Sequence, residues 1–394
     1  MPDPRQHETG DTGGAGNTGG AENEAASKAA NEAAGEADSK AANKADNKYE
    51  HYEGGSAEAE RQVFAELAGR IVRVQEVNRR KGRLPGPDRA FHAKTTLAVD
   101  NARIRFRDDL PPGLTVGYAR PGAEYRAVVR FSNASGIPRP DAAPDLRGIA
   151  VRVVVSDQER HDLLLLNTPA SHAANAREFV GFSVVMAGAT GTLSVAWRFL
   201  VKLPRAVGWS AANRMRRTLQ RAVGRKVVSL TRETYWSQGP VLWGNAGPVQ
   251  YQLRPRARDA SADPDQDPAT APAQAPAADR KDPDRLRTEL ARHLAAGDVV
   301  FELCLQRFVD EHTTPVEDAS VEWPKDQSPP VPVADVTLPA QDVTTEEARA
   351  RAHRIDQLVF TPWRTTEPFR PLGNLNRSRD AAYGASSSRR LGQE

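Results

Sequence analysis

Residues Tyr125–Gly136 read YRAVVRFSNASG. Tyr125, Ala127, Val129 and Phe131 alternate with Arg126, Val128 and Arg130, the two-residue period of a strand with one face in a core. Working outward, Ile149–Val155 and Leu163–Leu166 are nearly continuous apolar runs, the signature of strands covered on both faces. Thr95–Phe106, Val249–Leu253, Val299–Val309 and Val333–Leu338 add further strands. Their short connections favour antiparallel pairing, and seven or eight such strands can close a barrel. Helical spacing accounts for much of the remainder. Ala57–Arg80 repeats apolar residues at Val63, Leu67, Ile71 and Val74, and residues 176–203, 211–224 and 282–296 follow suit. Thr345–Leu358 opens on Thr345, Glu346 and Glu347, a helix N-terminal signal. The expected fold is α+β: an antiparallel β-barrel of about eight strands with surrounding helices.

The chain has 394 residues, 39% of them apolar, enough for a substantial core. Residues 1–55 are a loose repeat of Ala, Gly, Asn, Glu, Asp and Lys that cannot bury enough surface to order itself. They are expected to be disordered and dispensable for a single domain over 56–394, which carries a mobile Pro/Ala/Asp-rich loop at about 259–284. With 54 Lys and Arg against 51 Asp and Glu, the net charge of +3 gives no reason to expect nucleic acid as a partner. The single cysteine, Cys304, precludes a disulfide framework and suits the cytoplasm. Its place in the alternating segment Phe301–Leu305 makes it a core thiol. The N-terminus lacks a secretory pattern. Phe179–Trp197 carries no charge, but its Gly, Ala, Ser and Thr content makes it a buried helix pair broken near Gly188–Gly191 rather than a membrane span. No membrane insertion is expected.

Phosphate loops, GxGxxG, GxSxG and HExxH are all absent, and no histidines pair at metal spacing. His161 and His312 sit beside acidic residues and are expected at the surface, and Asn133-Ala-Ser135 matches a glycosylation sequon by pattern only. At the C-terminus, a helix from Asn376 onward sets Arg379 and Tyr383 on one face, with Arg390 returning close to it. One phenol then lies between two guanidinium groups.

RAFHAK (89–94), VVRFSNASG (128–136), PDLRGIAV (144–151), HDLLLLNTP (161–169) and the closing Arg379-x-x-x-Tyr383 together resemble the haem catalase superfamily in order and spacing. PVEDASVEW (315–323) and RPLGNLNR (370–377) resemble its small catalase-related branch most closely. The resemblance runs from about residue 85 to 390 and implies haem b as cofactor. It implies that His92 is the distal acid/base that takes a proton from a peroxide and returns it to the departing oxygen. By the same resemblance Ser132 orients that histidine, and Arg89, Arg130 and Arg390 hold the haem propionates. Phe179 stacks on the distal face and Phe182 lines the pocket. Tyr383 is the iron ligand, as catalases generally use tyrosine, and Arg379 supports it. A phenol ordinarily ionises near 10, so ligation at pH 7 takes roughly 4 kcal/mol. The iron's charge supplies most of that, and Arg379 adds to it.

One position departs from the family pattern. The distal asparagine falls on Leu166, with Asn167 one residue later, on the opposite face of a regular strand unless a bulge brings it round. Such a pocket favours larger, less polar hydroperoxides. The resemblance therefore implies a catalase or peroxidase acting on hydrogen peroxide or an organic hydroperoxide, with a small-molecule electron donor, as a monomer or homodimer. The alternatives are a fatty-acid hydroperoxide lyase or isomerase and a haem-binding protein without turnover.

Overall fold

Strand β2 (Glu124–Asn133) turns Ala127, Val129 and Phe131 into a closed barrel and leaves Val128, Arg130 and Ser132 on its outside. The computed structural model describes residues 47–189, 191–256 and 282–392. The low-complexity segment up to residue 46 and the Pro/Ala/Asp-rich loop up to residue 281 lie outside the described residues. β2 pairs antiparallel with β1 (Thr95–Phe106) and β3 (Arg147–Val154), and β3 with β4 (Arg160–Leu166). β5 (Tyr235–Ser237), β7 (Pro248–Pro255), β8 (Val299–Arg307) and β9 (Val331–Leu338) complete the ring. The order is β7-β5-β4-β3-β2-β1-β9-β8, and β8 returns to β7, so eight antiparallel strands close the barrel. β6 (Val241–Trp243) and β10 (Phe369–Pro371) extend outward from β7.

The interior is filled by alternate residues of every long strand. Phe131, Ile149, Val151, Leu163, Val249, Phe301, Leu303 and Val336 are all buried in one apolar cluster. Cutting a fully buried ring such as Phe131 to Ala costs about 3–5 kcal/mol. His161, expected at the surface, is instead buried within this layer, edge-on to Tyr118 at 5.4 Å and tilted against Phe369 at 5.1 Å. In a closed barrel β4 has no free edge, so a residue beside a charge is still enclosed. His312 is exposed and Cys304 is buried, as expected. Asn133 is also buried, its amide bonded to Asp141 at 3.3 Å, which leaves no room for a glycan.

The helices pack around the barrel. α1 (Ala57–Gly82) is capped by Ser56, whose side chain accepts from the Ala59 N–H, and carries Glu58 and Glu60 in its first turn and Arg79, Arg80 and Lys81 in its last, as the helix dipole favours. α2 (Ala176–Met186) is capped by Asn175. α3 is a continuous rod of Thr192–Trp197, a π turn at Arg198–Lys202, and Leu203–Val207. α4 (Trp209–Gly224) and α5 (Arg285–Ala296) follow. α6 (Glu346–Gln357), capped by Thr345, lies on the outside of β1–β4 through Ile355, which with Phe360 from the segment after the helix packs against Ala98, Val128, Ala150 and Leu164. α7 (Asn374–Leu391) closes the chain against α1. The break between α2 and α3 falls as expected, but only α2 is packed as expected, burying Ala176, Val180, Gly181 and Ser183, whereas Leu193, Trp197 and Leu200 of α3 stand in solvent. No helix among the described residues is long and apolar enough to cross a membrane.

The boundary at residue 55 needs correction. Glu50 is buried, pairing with Arg377 at 2.6 Å and Arg370 at 2.7 Å, so the compact unit begins at Tyr49. A chain starting at Ser56 is expected to be less stable by about 3–5 kcal/mol than one starting at Tyr49, because it leaves Arg377 with one carboxylate fewer in a buried cluster. Urea unfolding of the two truncations measures the difference.

Candidate active site

The strand pleat builds the site on the outer face of β2, β3 and β4. Ser132 lies opposite Gly148, and Gly148 opposite Leu166, so these three share one face. His92 arrives from the loop before β1 and lies against Ser132 and Gly148. Its Nδ1 is 2.9 Å from Ser132 Oγ. The residue is held in the left-handed region at φ +58°, uncommon for a side chain bearing a Cβ. Two bonds fix it there: its N–H donates to the Ala134 carbonyl at 3.0 Å, and its own carbonyl accepts from Arg130 Nη2 at 2.7 Å.

Gly148 is what lets the imidazole approach the sheet this closely. A Cβ there would stand 2.7 Å from His92 Cε1, 2.9 Å from Nδ1 and 3.1 Å from Ser132 Oγ. Gly148→Ala is therefore expected to push the ring off Ser132 and lower turnover at least about tenfold, at an overpacking cost of about 1–3 kcal/mol. Steady-state peroxide kinetics beside a melting curve checks both.

Arg130 is buried, its Nε bonded to Thr95 Oγ1 at 2.8 Å and lying 3.3 Å from Asp356 Oδ1. Arg89 Nη1 reaches the same Oδ1 at 3.0 Å, and Arg390 Nη2 donates to the Gln357 carbonyl at 3.1 Å. Three guanidinium groups thus converge on the C-terminal end of α6. They outnumber the carboxylates that answer them, Asp356 and Asp88. Burial, then Arg89, pulls Arg130 down to about 10, and the same two causes lower Arg390. Burial alone would raise Asp356, but Arg89, the Thr95 hydroxyl and Arg130 hold it below the ordinary carboxylate range.

An apolar wall completes the enclosure. Phe179, from α2, stands edge-on to Phe91 at 5.4 Å, and both pack in one cluster with Ala381 and Ala382 of α7. Tyr383 is the next residue, half-buried, and its hydroxyl has no hydrogen-bond partner among the described residues. Arg379, one turn before it, donates to Asn376 Oδ1 at 2.8 Å and is close enough to act electrostatically on His92. His92 and the helix that carries Tyr383 therefore border one region, although the two residues lie 291 positions apart in the chain. His172 carries no signal in the sequence. It lies 4.4 Å from Phe182 and 5.5 Å from Phe179, with its Nε2 buried and unbonded.

Asn167 is not part of this group. β4 runs without a bulge to Leu166, so Asn167 faces away from His92. Its Oδ1 accepts from the Arg147 N–H at 2.7 Å and its amide donates to Glu233 at 2.7 Å, which uses both ends of the side chain. Leu166 holds the position opposite Gly148.

Burial, then Arg130, Arg89 and Arg379, brings His92 down to about 3. Burial alone brings His161 to about 3 and His172 to about 4. Each ring stays neutral in the fold, whereas the unfolded chain protonates it below about pH 6.5. Falling pH therefore favours unfolding, and the loss continues until the folded rings protonate near pH 3–4. Between pH 7 and pH 5 the three should together remove about 5 kcal/mol of stability, opposed in part by carboxyls such as Asp145 and Asp380, which burial raises and which therefore favour the fold as pH falls. Urea midpoints of the haem-free protein at the two pH values test this.

Catalases are among the solved structures that share this fold. A fungal catalase superposes with a TM-score of 0.57 at 20% identity, over 79% of this chain and 60% of that one. Catalase A from Saccharomyces cerevisiae gives 0.58 at 17% identity, over 78% and 62%. The chain thus spans about three fifths of the length of these catalases. No family model matches. The fold is that of the catalases. In sequence, the chain is 30% identical over 311 residues to the catalase-related peroxidase of Mycolicibacterium paratuberculosis (strain ATCC BAA-968 / K-10), a match covering 77% of this chain and 89% of that protein. The chain belongs to the catalase superfamily, alongside that catalase-related peroxidase, and is an oxidoreductase of the peroxide-cleaving class.

Proposed function

We propose that the chain binds haem b between the outer face of β2–β4 and helices α2 and α7, and reduces organic hydroperoxides in preference to dismutating hydrogen peroxide. The residues fit that cofactor. The arginine excess formed by Arg89, Arg130 and Arg390 suits a group carrying two carboxylates, Phe91 and Phe179 offer an apolar wall, and Tyr383 presents an unpartnered phenol beside Arg379. Haem, when bound, supplies the iron at which the O–O bond is cleaved. Tyr383 would hold that iron, with Arg379 favouring the phenolate.

The observation that carries the proposal is the His92–Ser132 pair. With Ser132 engaging Nδ1, His92 Nε2 is left to take the proton of an incoming hydroperoxide and pass it to the departing oxygen. Its lowered pKa keeps it neutral, and so competent as a base, throughout the physiological range. A small-molecule donor supplies the two electrons that convert a hydroperoxide to an alcohol and water. Leu166, opposite Gly148, puts methyl groups where an amide could hold hydrogen peroxide, and this supports the organic substrate. The single thiol suits a cytoplasmic setting, as monomer or homodimer.

The test is an absorption spectrum with kinetics. The haem-loaded protein should oxidise a donor faster with cumene hydroperoxide than it releases oxygen from hydrogen peroxide, and Leu166→Asn should narrow that gap. An unchanged haem spectrum in Tyr383→Phe overturns the ligand assignment, and no donor oxidation with any hydroperoxide overturns the function.

A further inference from the structure

Five of the seven large apolar side chains exposed among the described residues lie between positions 184 and 209. Leu193 is 88% exposed, Trp209 71%, Leu200 61% and Trp197 52%. Leu193, Trp197 and Leu200 are spaced four and three apart, which sets them in one stripe along α3. Trp209 opens α4. Both helices turn their inner sides to one buried cluster, Leu203 from α3 with Ala212 and Met215 from α4, so their exposed residues lie on the outer side of a single layer.

Charge on this layer is of one sign. Between Glu178 and Glu233 the chain has ten Lys and Arg and no Asp or Glu, although over its whole length the two kinds nearly balance. Arg214 and Arg225 are neutralised by those flanking glutamates. Lys202, Arg216, Arg217 and Arg221 are exposed and have no carboxylate partner among the described residues. The Lys202 ammonium rests 4.8 Å over the Trp197 ring, an apolar stem along the stripe with its charge at the rim.

We propose that the outer side of α3 and α4 is a docking surface for anionic lipid bilayers, on which the protein adsorbs without spanning. Tryptophan and leucine interleaved with Lys and Arg on helices lying in one layer match the interfacial zone, where indole rings sit at headgroup level and cations meet lipid phosphates. A symmetric dimer through the same face would set one wholly cationic layer against another, because a two-fold interface apposes the same patch of both copies. A layer of anionic headgroups supplies the missing counter-charge. Phe182 packs from beneath on the same cluster, so adsorption brings the wall of the candidate pocket near acyl-chain hydroperoxides. That last link rests on the proposed function, whereas the docking itself does not.

Vesicle sedimentation tests the docking without any turnover, so its failure is separable from failure of the enzymatic reading. Full-length protein is expected to bind vesicles of mixed phosphatidylcholine and phosphatidylglycerol, to ignore pure phosphatidylcholine, and to bind less as salt rises. Replacing Arg216, Arg217 and Arg221 together by Gln should weaken the partition about a hundredfold. Trp197→Ser with Trp209→Ser should weaken it while leaving the melting temperature unchanged, since both rings are exposed. Equal binding to both vesicle types, no binding to either, or unaltered binding by the Gln variant overturns the proposal. So does concentration-dependent self-association that the serine substitutions abolish, which would make the face an interface between copies.

Discussion

On the proposed function, a haem-loaded His92→Asn variant is expected to keep its fold and to lose between about a hundredfold and ten-thousandfold of the hydroperoxide turnover of the parent, the usual contribution of a positioned acid/base. Asparagine is the right replacement because φ at this residue is +58°, a region that Asn tolerates and most side chains do not. The backbone bonds to Ala134 and Arg130 survive the change, so a loss of turnover reports the missing imidazole rather than a collapsed loop. Ser132→Ala should cost much less, since it frees the ring without removing it. Donor-oxidation kinetics at saturating hydroperoxide, with haem content measured by absorbance, compares the two. Turnover in His92→Asn within a few-fold of the parent would remove His92 from the chemistry.

The largest effect on stability is expected from Arg377→Met. Arg377 is buried where α7 begins, bonded to Glu60 through Nε at 2.7 Å, to Glu50 through Nη1 at 2.6 Å and to Glu317 at 3.0 Å. Its charged form is held far more firmly than usual, because these contacts outweigh the cost of burial. Methionine fills much of the volume but leaves three carboxylates facing one another with Arg370 on Glu50 alone. Breaking one buried pair costs about 3–5 kcal/mol, and this substitution breaks three, so the variant should lie at or beyond the low end of ordinary domain stability. Haem uptake should fall with it, because the same turn of α7 leads to Arg379 and Tyr383. Urea unfolding of Arg377→Met beside Arg370→Met separates the hub from its neighbour, and a midpoint equal to the parent's would show that the cluster is idle.

Long periodic elements are legible in the sequence, and short ones are not. Seven barrel strands and the main helices show their periods plainly, but β5, β6 and β10 are three residues each, too brief to display one. β5 is nevertheless a stave of the closed barrel. His161 misleads for the same reason that barrels are hard to read: enclosure depends on closure, which no local segment encodes. Asn167 is ambiguous from sequence because its partner, Glu233, is 66 residues away. Arg377 gives no signal of its role, since Glu50 and Glu60 lie 327 and 317 positions upstream. Leu193 and Trp197 mimic buried residues because an uncharged run looks like core from inside the sequence. The cations that follow that run bear on its exposure, and they belong to the next helical turns rather than to the run itself.

The span from Glu50 to Arg377 also sets an order of events during synthesis. A ribosome adding roughly 5–20 residues per second needs between about a quarter of a minute and a minute to cover it. Throughout that interval the emerging chain holds Glu50 and Glu60 without the cation that neutralises them, and without Tyr383. The barrel can close before the last helix leaves the exit tunnel, but the clamp at the start of α7 cannot. Chains that stall before Arg377 therefore carry Glu50, Glu60 and Glu317 without the guanidinium that joins them, an acidic cluster that distinguishes them from chains in which α7 has docked.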